Sequence, residues 1–365
     1  MSYKAPSLAS SAETNREHII DAFLSASGWQ GVTRAPLAGD ASNRRYERLS
    51  HPEKGPAVLM DAPPWRGEDV RPFVTVTEIV RRLGLSAPEV YAGDPASGLL
   101  LLEDLGDDLL ARVIAGGTAE EPLYKAAIDL LVALHDRPVS DVVGAGGQPL
   151  PPYDLATLLR EVRLVTAWYC RGAAGRRDED RDLSTALERT IAPLLSDVAA
   201  ARDALVLRDY HAENLLWLPA REGHARVGLL DYQDALIGHP AYDLVSLLED
   251  ARRDVPKAVA AAMIERYLSA RPSLDPQAFR AAYACLGAQR NLKIVGIFAR
   301  LWLREGKDRY LDLIPRVWGY LQEDLAHPAL APLRAFVVER IPTPTVETLV
   351  SLRRLEGGTY EDEGR

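Results

Sequence analysis

Apolar and polar residues along this chain follow two rhythms. Up to about residue 102 the apolar positions sit in short runs bounded by polar turns. Arg45 to Leu49 alternates, while AVLM at 57–60 and LLLL at 99–102 are continuous, and Val90-Tyr91 is a further short run. That spacing predicts strands. Two helical stripes interrupt it: Ile19, Ile20 and Phe23 in 16–25, and Phe73, Val76, Val80 and Leu83 in 69–83. From residue 107 the repeat changes to three and four. Ala127, Leu130, Leu131 and Leu134 share one face, and His135-Asp136-Arg137-Pro138 ends that helix. Asp154 is placed to cap a long helix reaching about residue 171. Further helices are expected at 184–201, 240–251, 256–269, 276–303, 307–325 and 328–340. Residues 1–14 read as loose, and 346–365 ends in glycine and charge and reads as mobile at its tip. The expected class is α+β: a small strand-rich part (15–102), a linker (103–106), a larger helical part (107–340) and an extension (341–365).

One stretch, 206–243, concentrates the chemistry. Asp209 lies in LRDYHAEN, with Asn214 five residues on, and the run LLWL follows. After a polar turn, VGLL delivers Asp231. The pattern predicts loop, strand, turn and strand, a hairpin bringing Asn214 and Asp231 together although they are 17 residues apart. Two carboxylates and an amide oxygen suit a hard cation such as Mg²⁺. An Asp, an Asn five residues later and a strand-terminal Asp is also the arrangement of kinases, in which the first Asp takes the hydroxyl proton and the other two hold metal on phosphates. The bland alternative is that Asn214 and Asp231 make turns. Asp243, in GHPAYD, is either an acid in the first turn of a helix or a brace for the Asp209 loop.

Residues 207–214 and 229–243 resemble the phosphotransferase family that includes aminoglycoside and choline kinases, a branch of the protein-kinase-like fold. AENLLWLP, LLDYQDALIGHPAYDLVSLLEDAR and QRNLKIVGIFARL resemble its anomeric kinases, which phosphorylate N-acetylmuramate and N-acetylglucosamine in peptidoglycan recycling. The similarity runs from about residue 15 to 340. It implies two lobes, ATP and Mg²⁺, with Asp209 as base and Asn214 and Asp231 on the metal. The linker would offer backbone groups around Glu103 and Leu105 to an adenine. Asn43, Arg44 and Arg45, after the tight turn 39–43, are expected over the phosphates, where arginine's planar fork suits phosphate oxygen. A surface hairpin with solvated arginines is the alternative. The chain departs from the kinase pattern in the strand at 57–61. Met60 or Asp61 stands where a lysine is usual, and Lys54 lies before the strand. Glu78, in the following helix, then has no lysine to pair with.

The acceptor pocket is expected from the helical part. Glu161 and Trp168 lie on the 154–171 helix, where the indole has the shape to stack on a pyranose. Arg290 is a partner for the lactyl carboxylate of N-acetylmuramate, and His211 is a loop contact or alternative base. Each has a structural alternative: core for Trp168, an ion pair for Arg290.

Composition narrows the field without choosing a substrate. The 365 residues are 47% hydrophobic and 26% charged, enough for a sizeable core. The net charge of −9 leaves no basic stripe for nucleic acid. No apolar run approaches a membrane span, and the N-terminus lacks the apolar core of a signal peptide. The two cysteines, Cys170 and Cys285, read as buried thiols without zinc spacing. A cytoplasmic monomer acting on a small amino sugar is expected. Two other readings stay open: a kinase for choline, an aminoglycoside or another amino alcohol, and a nucleotide-binding pseudokinase, for which the absent lysine argues.

Overall fold

The computed structural model describes residues 8–37, 43–144, 147–176, 178–355 and 357–358, with side chains from residue 15 onward. The chain divides into two units. The first comprises 1–108, 144–146 and 216–234, and the second 109–143, 147–215 and 235–365. The hairpin carrying Asp231 therefore belongs with the strand-rich unit, and Asp209 and Asn214 with the helical one, whereas the pattern alone grouped all three after residue 107.

Helix α1 (Leu8–Ala26) precedes strands β1 (Thr33–Leu37), β2 (Arg45–His51) and β3 (Gly55–Asp61); helix α2 (Arg71–Arg82) leads to β4 (Val90–Asp94) and β5 (Leu99–Glu103). The strands form one sheet in the order β1-β2-β3-β5-β4, with antiparallel pairing throughout. Strand alternation sets the faces. Leu49, Ala57, Leu59, Leu99 and Leu101 form a buried cluster with Ile20 and Leu24 of α1. The register Tyr46↔Met60, Arg48↔Val58 and Met60↔Leu100 puts those residues on the opposite face. Helix α1 begins eight residues before the predicted 16. Arg16 on it donates to Asp61 at 2.6 and 3.0 Å, so Asp61 serves a buried ion pair on the α1 side.

The hairpin Leu215–Trp217 and Val227–Leu229 joins the first unit through small and apolar contacts. A Cβ on Gly228 would lie 3.1 Å from Leu216 and 3.4 Å from Leu105. The Leu229 N–H donates to Ser86 at 2.8 Å.

The second unit contains α3 (Leu110–Ala115), α4 (Glu120–His135), α5 (Leu155–Val162), α6 (Arg171–Ala173), α7 (Arg181–Ala200), α8 (Ala241–Leu248), α9 (Lys257–Ala270), α10 (Pro276–Glu305), α11 (Ile314–Leu325), α12 (Ala331–Arg340) and α13 (Val346–Arg353). Strands Ala204–Val206 and Leu236–Gly238 pair beside them. Helix α10 is the axis: it packs against α5, α7, α8 and α11. Its start is capped by Asp275, which accepts the N–H groups of Gln277 and Ala278 at 2.8 Å, with Pro276 at the first position. Gly306 ends it with φ 69°. Asn291 on α10 donates to Glu249 at 2.7 Å and Asp324 at 2.9 Å, tying the ends of α8 and α11 to the axis. Burial raises both acids.

The expected 154–171 helix is interrupted. A π-helical turn, Val165–Cys170, separates α5 from α6. Gly296 of α10 presses on that turn, where a Cβ would sit 2.2 Å from the Leu164 carbonyl carbon. Helices α3 and α13 were not anticipated. Cys170 and Cys285 are buried free thiols as expected, and burial pushes both up to about 12. No described helix is long and apolar enough to cross a membrane.

Alanine normally gains about 1 kcal/mol over glycine inside a helix. At Gly296 the clash is with backbone, so Gly296→Ala is expected to destabilise by about 1–3 kcal/mol. Chemical denaturation measures this, and an unchanged midpoint would show that α10 separates from the π-turn at no cost.

Candidate functional site

The loop between strand Ala204–Val206 and the hairpin is held from below by one carboxylate. Asp243, fully buried in the first turn of α8, accepts the Leu207 N–H at 2.7 Å and the Arg208 N–H at 2.9 Å. The brace reading of Asp243 is the one the geometry bears out. Arg208 has φ 72°, a left-handed conformation costing about 1–3 kcal/mol in a non-glycine residue. The two bonds from Asp243 offset that strain. Burial pushes the Asp243 carboxyl up to about 7, against the two N–H groups that favour its charged form. The turn places Asp209 half-buried at the loop's crest. Asn214 Nδ2 donates back to the Asp209 carbonyl at 3.0 Å, and the Asn214 N–H donates to His211 O at 2.8 Å. The Asn214 nitrogen is thus committed to the loop, and its amide oxygen is of the donor type that hard cations take. Tyr210, fully buried, anchors the loop to the α4 backbone through Ala127 O at 2.8 Å.

Beside the loop lies a buried charge cluster. Glu161 accepts from Arg208, from the Tyr153 hydroxyl, from Lys293 Nζ at 2.9 Å and from Gln289 Nε2 at 3.3 Å. Burial opposes its ionisation, but Lys293 and Arg208 prevail and hold the carboxyl down to about 2. Lys293 also reaches the Tyr242 hydroxyl at 3.4 Å and stays charged despite burial, helped by Tyr242, Glu161 and Asp209.

His211 is 5% exposed, with Nε2 at 3.3 Å from Asn214 Nδ2 and 3.2 Å from Arg252 Nη1. Arg252 also pairs with Glu213 at 3.0 Å.

The strand-rich unit carries its own polar groups. Asp231 is exposed, with φ 55°, and accepts from Gln233 at 2.8 Å. Tyr232 stacks on Phe73 of α2 at 5.2 Å and hydrogen-bonds Thr77 at 2.7 Å, so α2 positions the Asp231 turn. Arg44 donates to Glu68 at 2.8 Å; burial works against its charge, while Tyr46, Glu68 and Asp231 favour it. Arg48 pairs with Asp104 and Asp107, each at 2.6 Å, bracing the chain after β5. Glu103, Leu105, Trp217, Leu218 and Arg221 line a pocket of about 300 Å³ there. The Glu103 carboxylate is taken by Arg221 at 2.8 Å and Arg81 at 3.5 Å, and the Glu103 N–H donates to Glu89 O at 2.8 Å.

Several expected roles change. Arg45 shares the α1 face with Asp61, its cross-strand partner, so only Arg44 lies toward Asp231. Exposed Asn43 donates to Arg66 O at 3.2 Å, and the preceding residues 39–42 lie outside the described residues. Met60 is 1% exposed and brings no cation, and Glu78 is exposed. Glu161 is saturated by the chain's own donors rather than turned to a substrate. Trp168 is 4% exposed with the Arg171 guanidinium 4.5 Å from its ring centre, so no sugar has access to that face. Arg290 is 5% exposed and donates to Ser246 at 2.9 Å, next to Asp243. Lys293 and Arg252 were missed. For Lys293 the signal was its place one turn after Gln289 in a largely apolar helix, which brings both side chains to Glu161. Among the described residues no group of three or more His, Cys, Asp and Glu side chains is arranged to hold a metal unaided.

Comparison with known proteins is consistent across sequence and fold. Residues 33–277 match the phosphotransferase enzyme family. The chain is 44% identical over 362 residues to the N-acetylmuramate/N-acetylglucosamine kinase of Caulobacter vibrioides, covering 91% of this chain and 98% of that protein. The protein of the same description from Pseudomonas aeruginosa is 37% identical over 320 residues, covering 84% and 89%. In fold the chain is similar to choline kinase LicA from Streptococcus pneumoniae, with a TM-score of 0.58 at 14% identity, covering 85% of this chain and 99% of that one. It is equally similar to the aminoglycoside phosphotransferase APH(2")-IIia, solved with GDP and kanamycin, with the same score, identity and coverage.

The charge cluster makes a pH-dependent prediction. A carboxyl held at about 2 instead of its usual 4.5 contributes stability above pH 4.5, and loses it as pH falls toward 2. Glu161→Gln leaves Lys293 and Arg208 without their counter-charge, which is expected to cost about 3–5 kcal/mol at neutral pH. Urea unfolding should show that deficit shrinking through the same acid window. A deficit independent of pH would mean that Glu161 contributes packing rather than charge.

Proposed function

Because the chain belongs to the phosphotransferase enzyme family, we propose that it moves the terminal phosphoryl group of ATP to the anomeric hydroxyl of N-acetylmuramate and N-acetylglucosamine, giving sugar 1-phosphates for cell-wall recycling. The acceptors are those named for relatives that match nearly the whole chain. The observation that carries the chemistry is the Asp209 loop, held by Asp243 from below and closed on itself by Asn214. Asp209 takes the proton of the attacking hydroxyl as the new oxygen–phosphorus bond forms, and the bond to the departing ADP breaks. Such chemistry depends on positioning and electrostatics, which is what a braced loop supplies.

Magnesium would supply neutralisation of phosphate charge here. Asn214, through its amide oxygen, and Asp231, through its exposed carboxylate, each have the donor chemistry it takes. Arg44, paired with Glu68, takes the place of the absent strand lysine toward the phosphates. The pocket beside Glu103 and Leu105 takes the nucleobase through backbone groups.

Transfer from labelled ATP with Mg²⁺ tests this against N-acetylmuramate, N-acetylglucosamine, choline and an aminoglycoside. Wild type is expected to make sugar 1-phosphates. Asp209→Asn should lower kcat about 10²- to 10⁴-fold with the fold intact by circular dichroism. Transfer to choline or the aminoglycoside alone would overturn the substrate, and ATP binding without transfer would favour a non-catalytic nucleotide binder.

A further inference from the structure

The two proposed acceptors differ by one charged group. N-acetylmuramate carries a lactyl ether whose carboxylate is ionised at neutral pH, and N-acetylglucosamine does not. A cation near the acceptor would be engaged by the first sugar and dispensable for the second.

Among the described residues of the helical unit, Arg208, Arg252, Arg290 and Lys293 adjoin the Asp209 loop, and their surroundings differ. Arg290 is 5% exposed and bonded to Ser246 behind the loop. Arg208 and Lys293 both point at Glu161, and their side chains are 19% and 13% exposed. Arg252 is the most open, at 28%, and its partner Glu213 is 44% exposed. Glu213 immediately precedes Asn214. Arg252 Nη1 lies 3.2 Å from His211 Nε2, whose ring adjoins the Asn214 amide that closes on Asp209. The Arg252 backbone is fixed, since its N–H donates to buried Asp250 at 2.9 Å. The neighbouring Arg253 turns elsewhere, to Tyr124 and to Glu120 at 3.1 Å.

We propose that Arg252 is the specificity residue for an acceptor carboxylate, exchanging its ion pair with Glu213 for the lactyl group. An exposed pair of this kind is worth about 0–1 kcal/mol and opens readily. The guanidinium fork offers a carboxylate two parallel bonds. With a neutral acceptor the Glu213 pair simply stays closed, so one site serves both sugars. The inference rests on the reading of the site as an amino-sugar kinase.

The test is the ratio of kcat/KM for N-acetylmuramate over N-acetylglucosamine, measured for wild type, Arg252→Gln and Glu213→Gln. Arg252→Gln should lower the ratio about 10- to 100-fold, the worth of a charge-assisted hydrogen bond. Glu213→Gln removes the competing carboxylate and should raise the ratio. Added salt should lower it in wild type more than in Arg252→Gln. An equal loss for both sugars in Arg252→Gln would make Arg252 a support for the loop and overturn the proposal. So would a Glu213→Gln ratio that stays level or falls. If wild type phosphorylates neither sugar, the kinase reading fails and this proposal with it; transfer to both with an unaltered ratio in Arg252→Gln defeats the proposal alone.

Discussion

The Asp243 carboxylate is the constraint on which the helical unit's chemistry depends. Two backbone N–H groups converge on it from a loop whose second residue is forced to positive φ. A side chain 36 residues away thus supplies what a local turn sequence does not. Without it the loop would leave two donors unpaired and a strained arginine unsupported, each costing about 1–3 kcal/mol. The geometry of this loop is therefore a tertiary property: Asp209 stands where it does because α8 delivers an acid underneath.

Charge balance around that loop follows the same logic. Arg208 and Lys293 place two positive charges beside Asp209, and Glu161 answers one of them. Glu161 comes from α5 and Lys293 from α10, so the packing of those helices sets the electrostatics of the site. The close approach of Gly296 to the π-turn after α5 is one place where that packing is enforced. The acid that looked like a substrate ligand is instead an internal counter-ion, and a carboxylate saturated by four donors has nothing left for a sugar hydroxyl.

In the strand-rich unit the decisive constraint is the two-residue period of the sheet. Arg44 and Arg45 are neighbours in sequence but serve different faces. Arg45 lies with Asp61 and α1, while Arg44 reaches Glu68 and the field of Asp231. Asp61, at the usual lysine position or next to it, is committed to Arg16. Aromatic stacking of Tyr232 on Phe73 and its bond to Thr77 then make α2 the support for Asp231, a role that needs no glutamate on that helix.

Much of this protein was legible in its residues. Periodicity located most of the longer helices and the five-stranded sheet, because a buried face imposes its period on the chain, but it passed over α3 and α13 and the π-turn after α5. The spacing of Asp209, Asn214 and Asp231 was compatible with phosphoryl transfer, but it was the resemblance of 207–214 and 229–243 to aminoglycoside and choline kinases that named the reaction class. The roles of long polar side chains were not legible. Glu161, Trp168, Arg290, Lys293 and Arg252 all lie on or beside helices of the second unit, and a helical position states only which way a side chain leaves its own axis. Whether it then meets solvent, a substrate or a buried counter-charge depends on neighbours tens to more than a hundred residues away, as with Glu161 and Lys293. The chain alone determined the elements and the chemistry at its loop. Only tertiary packing decided which charges are spent inside the fold and which remain for a ligand, because burial and pairing are properties of the assembled neighbourhood.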